Sequence, residues 1–162
     1  LMRGPSQSMG ELGHMTLKND GPKCGCGNNG CLEALASSTA IIRETNEVLE
    51  KGLSPIMQKM VDEGQKVNAY LVTKAAEQGD QEASRIMRET GEWLGIGLST
   101  VINLLNPEVI IIGGGVSLAG DVLFNPMKEE ISKRALKIPR EFVKIVPAEL
   151  GDSAGMIGAS TL

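Results

Sequence analysis

A chain of 162 residues with 41% hydrophobic content is long enough to fill the core of one soluble α/β domain. Its formal charge is -4, with lysines and arginines scattered among the acids and no basic stripe, which excludes nucleic acid as a partner of this segment. No apolar run approaches the roughly 20 residues needed to span a bilayer, and the first residues lack the charged-then-apolar order of a signal peptide. No membrane partner is expected, and the chain reads as cytoplasmic.

Only 2% of residues are aromatic, so the core must be built from Leu, Ile, Val, Ala and Met, while 20 glycines imply tight turns and close backbone approaches. The opening Leu1-Met2-Arg3-Gly4-Pro5 is neither a usual start nor an obvious domain opening, which leads us to expect part of a longer protein. Residues 9–17 are short, glycine-rich and extended in character, and they run through the turn residues Asn19-Asp20-Gly21-Pro22 into a loop dense in Gly, Cys and Asn that ends at Cys31. That loop has almost no apolar side chains, so something else must hold it.

Helical spacing begins at Leu32 and continues to about Glu50, as two helices broken near Ser37-Ser38-Thr39. Residues 55–63 and 66–78 read as two more helices, with Gly79 as a C-cap. The strongest stripe follows, from Ala83 through Ile86, Met87, Trp93, Leu98 and Ile102 to Leu105, and it stops at Asn106-Pro107. Gly91, Gly95 and Gly97 weaken this helix, so they are expected to mark close packing. The period then changes. Val109-Ile110-Ile111-Ile112, stopped by Gly113-Gly114-Gly115, has the look of a buried parallel strand. A helix over 121–135, a strand over 142–147 and a final helix from about Ser153 complete a strand–helix–strand–helix order. The chain contains no repeat and no low-complexity linker.

All three cysteines and the single histidine fall between positions 14 and 31: His14, Cys24, Cys26 and Cys31. One His and three Cys make a complete tetrahedral zinc set, and in a reducing compartment clustered thiols favour a metal over a disulfide framework that would leave one thiol over. Zinc would also supply the order that the loop lacks in apolar contacts. Glu11 lies three residues before His14, and Glu33 two beyond Cys31; on chemistry alone each reads as a solvated carboxylate, although carboxylates are natural acceptors for sugar hydroxyls.

Read together, Gly10-Glu11-Leu12-Gly13-His14 and Cys24-Gly25-Cys26-Gly27-Asn28-Asn29-Gly30-Cys31-Leu32-Glu33 resemble the signature of the ROK family (repressors, open reading frames and kinases), G-E-x-G-H followed by C-x-C-G-x-x-G-C-x-E, at every fixed position. The resemblance implies the C-terminal lobe of an actin-like, ribonuclease H-like ATPase fold of sugar-kinase type. It divides the chain into a zinc loop over 14–31, a helical region over 32–106 and a strand–helix–strand–helix unit over 108–162, with the N-terminal lobe absent. It further implies that His14, Cys24, Cys26 and Cys31 bind structural zinc while Glu11, His14 and Glu33 contact hydroxyls of a hexose. By itself the glycine run says only that a strand ends in a turn, and it is a poor match to a dinucleotide fingerprint. Within the family, Gly113, Gly114 and Gly115 are similar to the segment that lies against the adenosine of ATP, and Leu150–Ala159 looks like the closing helix.

The activity implied is phosphoryl transfer from ATP with magnesium to O6 of a hexose, glucokinase-like, in a homo-oligomer, commonly a dimer. The catalytic Asp and the D-x-G-G-T phosphate loop of such kinases belong to an N-terminal lobe, and neither motif occurs here, so no catalytic residue is assigned and the chain alone is expected to be inactive. The other function open to the resemblance is the effector half of a sugar-responsive ROK repressor. Which hexose is bound is not legible, because Glu11, His14 and Glu33 would recognise hydroxyls shared by many hexoses.

Overall fold

The computed structural model describes residues 4–161; the unusual opening Leu1–Arg3 lies outside the described residues. The helical spacing of the middle of the chain folds as α1 (Leu32–Ala36), α2 (Ser38–Glu50), α3 (Pro55–Asp62), α4 (Ala69–Glu77) and α5 (Gln81–Leu105). Each boundary has a local cause. Ser37 breaks α1 from α2 because its extended backbone lets its hydroxyl accept from the Ala40 N–H at 3.2 Å. Ser54 caps α3 ahead of Pro55, and Asn68 caps α4 by accepting from the Leu71 N–H at 2.9 Å. The Asn68 cap delays α4 to Ala69, three residues after the start expected from periodicity. Asp80 opens α5, and Asn106 closes it in the left-handed region at φ 45°, just before Pro107.

The second part contains β1 (Val109–Ile112), α6 (Asp121–Arg134), α7 (Lys137–Phe142), β2 (Lys144–Pro147) and α8 (Ala154–Ser160). The strands pair in parallel from Val109 with Lys144 to Ile112 with Pro147. Among the described residues this is a mostly helical α/β fold with a two-stranded sheet. Helix α7 was not expected, since Pro139 interrupts a six-residue segment that carries no side-chain cap.

The core is aliphatic and methionine-rich, with Ile41, Met57, Leu71, Met87, Ile102, Leu123 and Met127 fully buried. Its tightest seam joins α5 to α6. A Cβ on Gly91 would stand 2.5 Å from the Leu123 carbonyl oxygen, and one on Gly95 would stand 2.5 Å from that of Met127. The two glycines bring the helix backbones together, as their positions within a strong stripe suggest. Strand β1 differs from expectation. Ile110 and Ile112 pack against the core, but Val109 and Ile111 are 46% and 65% exposed. A parallel strand is wholly apolar when both its faces are covered, and among the described residues only one face is. No helix among them is long and apolar enough to cross a membrane.

Candidate metal centre

The segment expected to be extended near His14 instead tightens into a 3₁₀ turn over Leu12–His14, closed by the His14 N–H donating to Glu11 at 3.1 Å. The loop beyond it is held by backbone rather than by apolar packing. The Leu17 and Lys18 N–H groups both donate to the Gly30 carbonyl, at 2.8 and 3.3 Å, and the Leu32 N–H donates to Met15 at 2.9 Å. Gly30 sits at φ 63°, and a Cβ there would fall 1.6 Å from the Lys18 carbonyl oxygen. Only glycine permits that crossing.

This crossing brings the ligand atoms of His14, Cys24, Cys26 and Cys31 within 4.8 Å of one another. His14 Nδ1 lies 3.6 Å from Cys24 Sγ, and Cys26 Sγ lies 3.7 Å from Cys31 Sγ. A tetrahedral zinc ion with ordinary bond lengths sets sulfur–sulfur edges of about 3.8 Å and nitrogen–sulfur edges of about 3.6 Å. Both distances and the donor chemistry fit that group. Without a cation the thiols are poorly matched: burial, reinforced by hydrogen bonds from Cys26 and Cys24, pushes Cys31 up to about 12. Cys26 is held below its usual range by the backbone of Asn28, aided by Cys24. A bound cation would draw all three toward thiolate.

Glu11 meets the other ring nitrogen of His14, with its Oε2 3.8 Å from Nε2. Glu33, in the first turn of α1, is exposed, and its Oε2 would lie 3.5 Å from a Cβ on Gly13. Glu11, His14 and Glu33 are therefore gathered at the 3₁₀ turn. Behind Glu33 a cavity of about 330 Å³ is bordered by Lys23, Ser37, Thr39 and Arg43. Sequence reasoning missed Arg43, which donates to the Ala34 carbonyl at 3.0 Å and so ties α2 to the end of α1. Nothing in its helical spacing marks it out.

Gly113, Gly114 and Gly115 lie elsewhere, at the C-terminal end of β1. Ile112 there accepts from the Ala148 N–H at 2.8 Å, and Gly114 takes φ 85° before a 3₁₀ turn over Gly115–Ala119. That turn packs on α4 and α6, whereas the turn bearing His14 packs on α1. The structure thus holds two separate groups of candidate residues, one around His14 and one around Gly114.

Comparison with known proteins accords with these features. The chain is 36% identical to a glucokinase of Thermotoga maritima over all 162 residues, 51% of that protein. It is 31% identical to a xylose repressor of Caldicellulosiruptor bescii, covering 98% of this chain and 39% of that one. A glucokinase from Streptomyces griseus, solved with glucose and AMPPNP, superposes with a TM-score of 0.82 at 31% identity, covering 99% of this chain and 53% of the other. The chain thus spans about half the length, or less, of these relatives. With residues 1–162 all matching the family, the chain belongs to the ROK family.

Proposed function

We propose that the chain forms the hexose-binding portion, together with an adenosine-facing glycine turn at Gly113–Gly115, of an ATP-dependent hexose kinase that phosphorylates sugar O6. One observation carries the reading: His14 offers one ring nitrogen to the cysteine cluster and the other to Glu11. Zinc held by His14, Cys24, Cys26 and Cys31 would order the loop and leave the imidazole proton on Nε2. The 3.8 Å from Nε2 to Glu11 is longer than a hydrogen bond, leaving room for a sugar hydroxyl to accept from Nε2–H and donate to the carboxylate. Glu33 supplies a second acceptor beside Gly13. Binding of this kind orients the hexose; transfer also needs a base, phosphate donors and ATP with magnesium.

Assay of the full-length gene product for ADP release with glucose and ATP tests the reading. Hexose-dependent ADP is expected, with Glu11→Ala raising the KM for sugar about tenfold or more while that for ATP changes little. An unchanged sugar KM would remove Glu11 from the pocket. The similarity to a xylose repressor favours a second reading, in which the same residues bind an effector sugar. Full-length protein that forms no ADP but releases an operator DNA fragment on adding sugar would replace the first reading with the second.

A further inference from the structure

We propose that Cys26 and Cys31 form an oxidation-sensitive latch on the metal centre, closed as a disulfide by a hydroperoxide. The proposal rests on the reading that His14, Cys24, Cys26 and Cys31 hold zinc.

The three cysteines are not equivalent. Cys24 and Cys31 are 5% and 0% exposed, whereas Cys26 is open to solvent, so an oxidant in solution meets Cys26 first. Its sulfur already lies 3.7 Å from that of Cys31. A disulfide needs about 2.05 Å, so closing the pair takes a movement of roughly 1.7 Å. Cys26 can supply that movement. It stands between Gly25 and Gly27, and a Cβ on either would find no atom within 4 Å. Cys31 cannot, because it is buried at the N-terminus of α1 and its backbone bridges to Thr16. The geometry describes one accessible sulfur on a sterically open stretch of loop beside one buried sulfur anchored at a helix start.

The chemistry balances with peroxide as oxidant. The Cys26 thiolate attacks one peroxide oxygen, the O–O bond breaks, and Cys26 becomes a sulfenic acid as hydroxide leaves. The Cys31 thiolate then attacks the Cys26 sulfur, the S–S bond forms and a second hydroxide leaves. Two thiolates lose two electrons in all, and one peroxide takes up two protons to become two waters. A zinc ion held at the site would be left with His14 and Cys24, half of its set, and would be released. His14 then loses the partner that fixed its Nδ1, and the Nε2 donor facing Glu11 is no longer held. Peroxide is thereby coupled to hexose binding through a residue common to both sites.

The test uses purified protein whose zinc content is first measured. Dilute hydrogen peroxide is added while a chromophoric chelator reports zinc, and non-reduced peptides are mapped by mass spectrometry. A Cys26–Cys31 link formed in step with zinc release is expected, with hexose affinity falling about tenfold or more and recovering after dithiothreitol and zinc. Zinc that stays bound, a Cys24–Cys26 link, or oxidation of Cys26 to sulfinic acid without a link would overturn the latch while leaving the metal reading in place. Protein lacking zinc at the first measurement would overturn the metal reading and the latch with it.

Discussion

The hydroxyl of Ser54 donates to Asp80 Oδ2, joining the N-cap of α3 to the N-cap of α5 across 26 residues of sequence. Each side chain has two tasks. Ser54 also accepts from the Met57 N–H at 3.0 Å, while Asp80 Oδ1 accepts from the Ala83 N–H at 2.9 Å. Both are buried, so truncating either leaves a helix donor and a polar partner unsatisfied away from water. Asp80→Ala is expected to lower stability by about 2–3 kcal/mol, and Ser54→Ala by about 1–2 kcal/mol. Urea unfolding of the singles and the double should show the double costing about 1 kcal/mol less than their sum. Strict additivity would mean that the two caps act independently.

The α5–α6 seam gives a prediction in which helix propensity and packing oppose each other. Alanine at an interior helical glycine ordinarily gains about 1 kcal/mol. At Gly91, however, a Cβ would meet the Leu123 carbonyl at 2.5 Å and the ring of Pro126 at 2.8 Å. At Gly95 it would meet the Met127 carbonyl and Glu130 Cβ. Backbone atoms do not turn aside, so Gly91→Ala and Gly95→Ala are each expected to destabilise by about 1–3 kcal/mol. Gly97 instead faces the tip of Leu32 at 3.0 Å, a flexible end, and Gly97→Ala should cost less than either. Thermal unfolding of the three variants ranks them directly.

Those glycines show how far residue order alone carries. Gly91, Gly95 and Gly97 were legible as contact points because each contradicts the stripe it sits in, yet the partner helix was not. Asn106, Ser37 and the glycines after β1 were legible because their effects are local in φ and in side-chain reach. The link between Ser54 and Asp80 was not, since two separate capping signals say nothing about where the helices meet. The half-exposed faces of β1 escaped for a related reason: an apolar strand states what it can bury, not what is there to cover it. Around His14 the grouping of one His and three Cys is legible in the sequence, whereas which ring nitrogen faces Cys24 and which faces Glu11 depends on how the 3₁₀ turn folds.

Glu130 on α6 carries a pH dependence. Its carboxylate accepts from Lys133 at 2.7 Å and Arg134 at 2.6 Å, and these cations hold it below the usual carboxylate range. A depressed folded value means that its contribution is complete above the unfolded value near 4.3 and fades as pH falls through the folded one. The pairs are helix neighbours with exposed cations, so Glu130→Gln should cost about 0.5–1 kcal/mol at pH 7. Stability curves of the two proteins should converge as pH falls below about 4, the side on which the lowered folded value lies. A constant gap across that range would assign the loss to packing against Gly95 instead.

For the candidate metal centre, zinc occupancy is expected to turn on two glycines in one loop. Elemental analysis is expected to find about one zinc per chain, and chelation should lower the melting temperature because the loop has little apolar packing of its own. The closing of the loop depends on Gly30, where φ is 63° and a Cβ would overlap the Lys18 carbonyl at 1.6 Å. Gly30→Ala must displace the very carbonyl beside which Cys31 is delivered to the cluster, so zinc should fall well below one per chain. Gly25 stands between Cys24 and Cys26, yet has open space where a Cβ would go and no left-handed backbone. Gly25→Ala should therefore keep its zinc and nearly all its stability. Equal zinc loss in both variants would show that the loop tolerates no added side chain anywhere; full zinc in Gly30→Ala would show that the crossing of Lys18 and Gly30 is not what assembles the cluster.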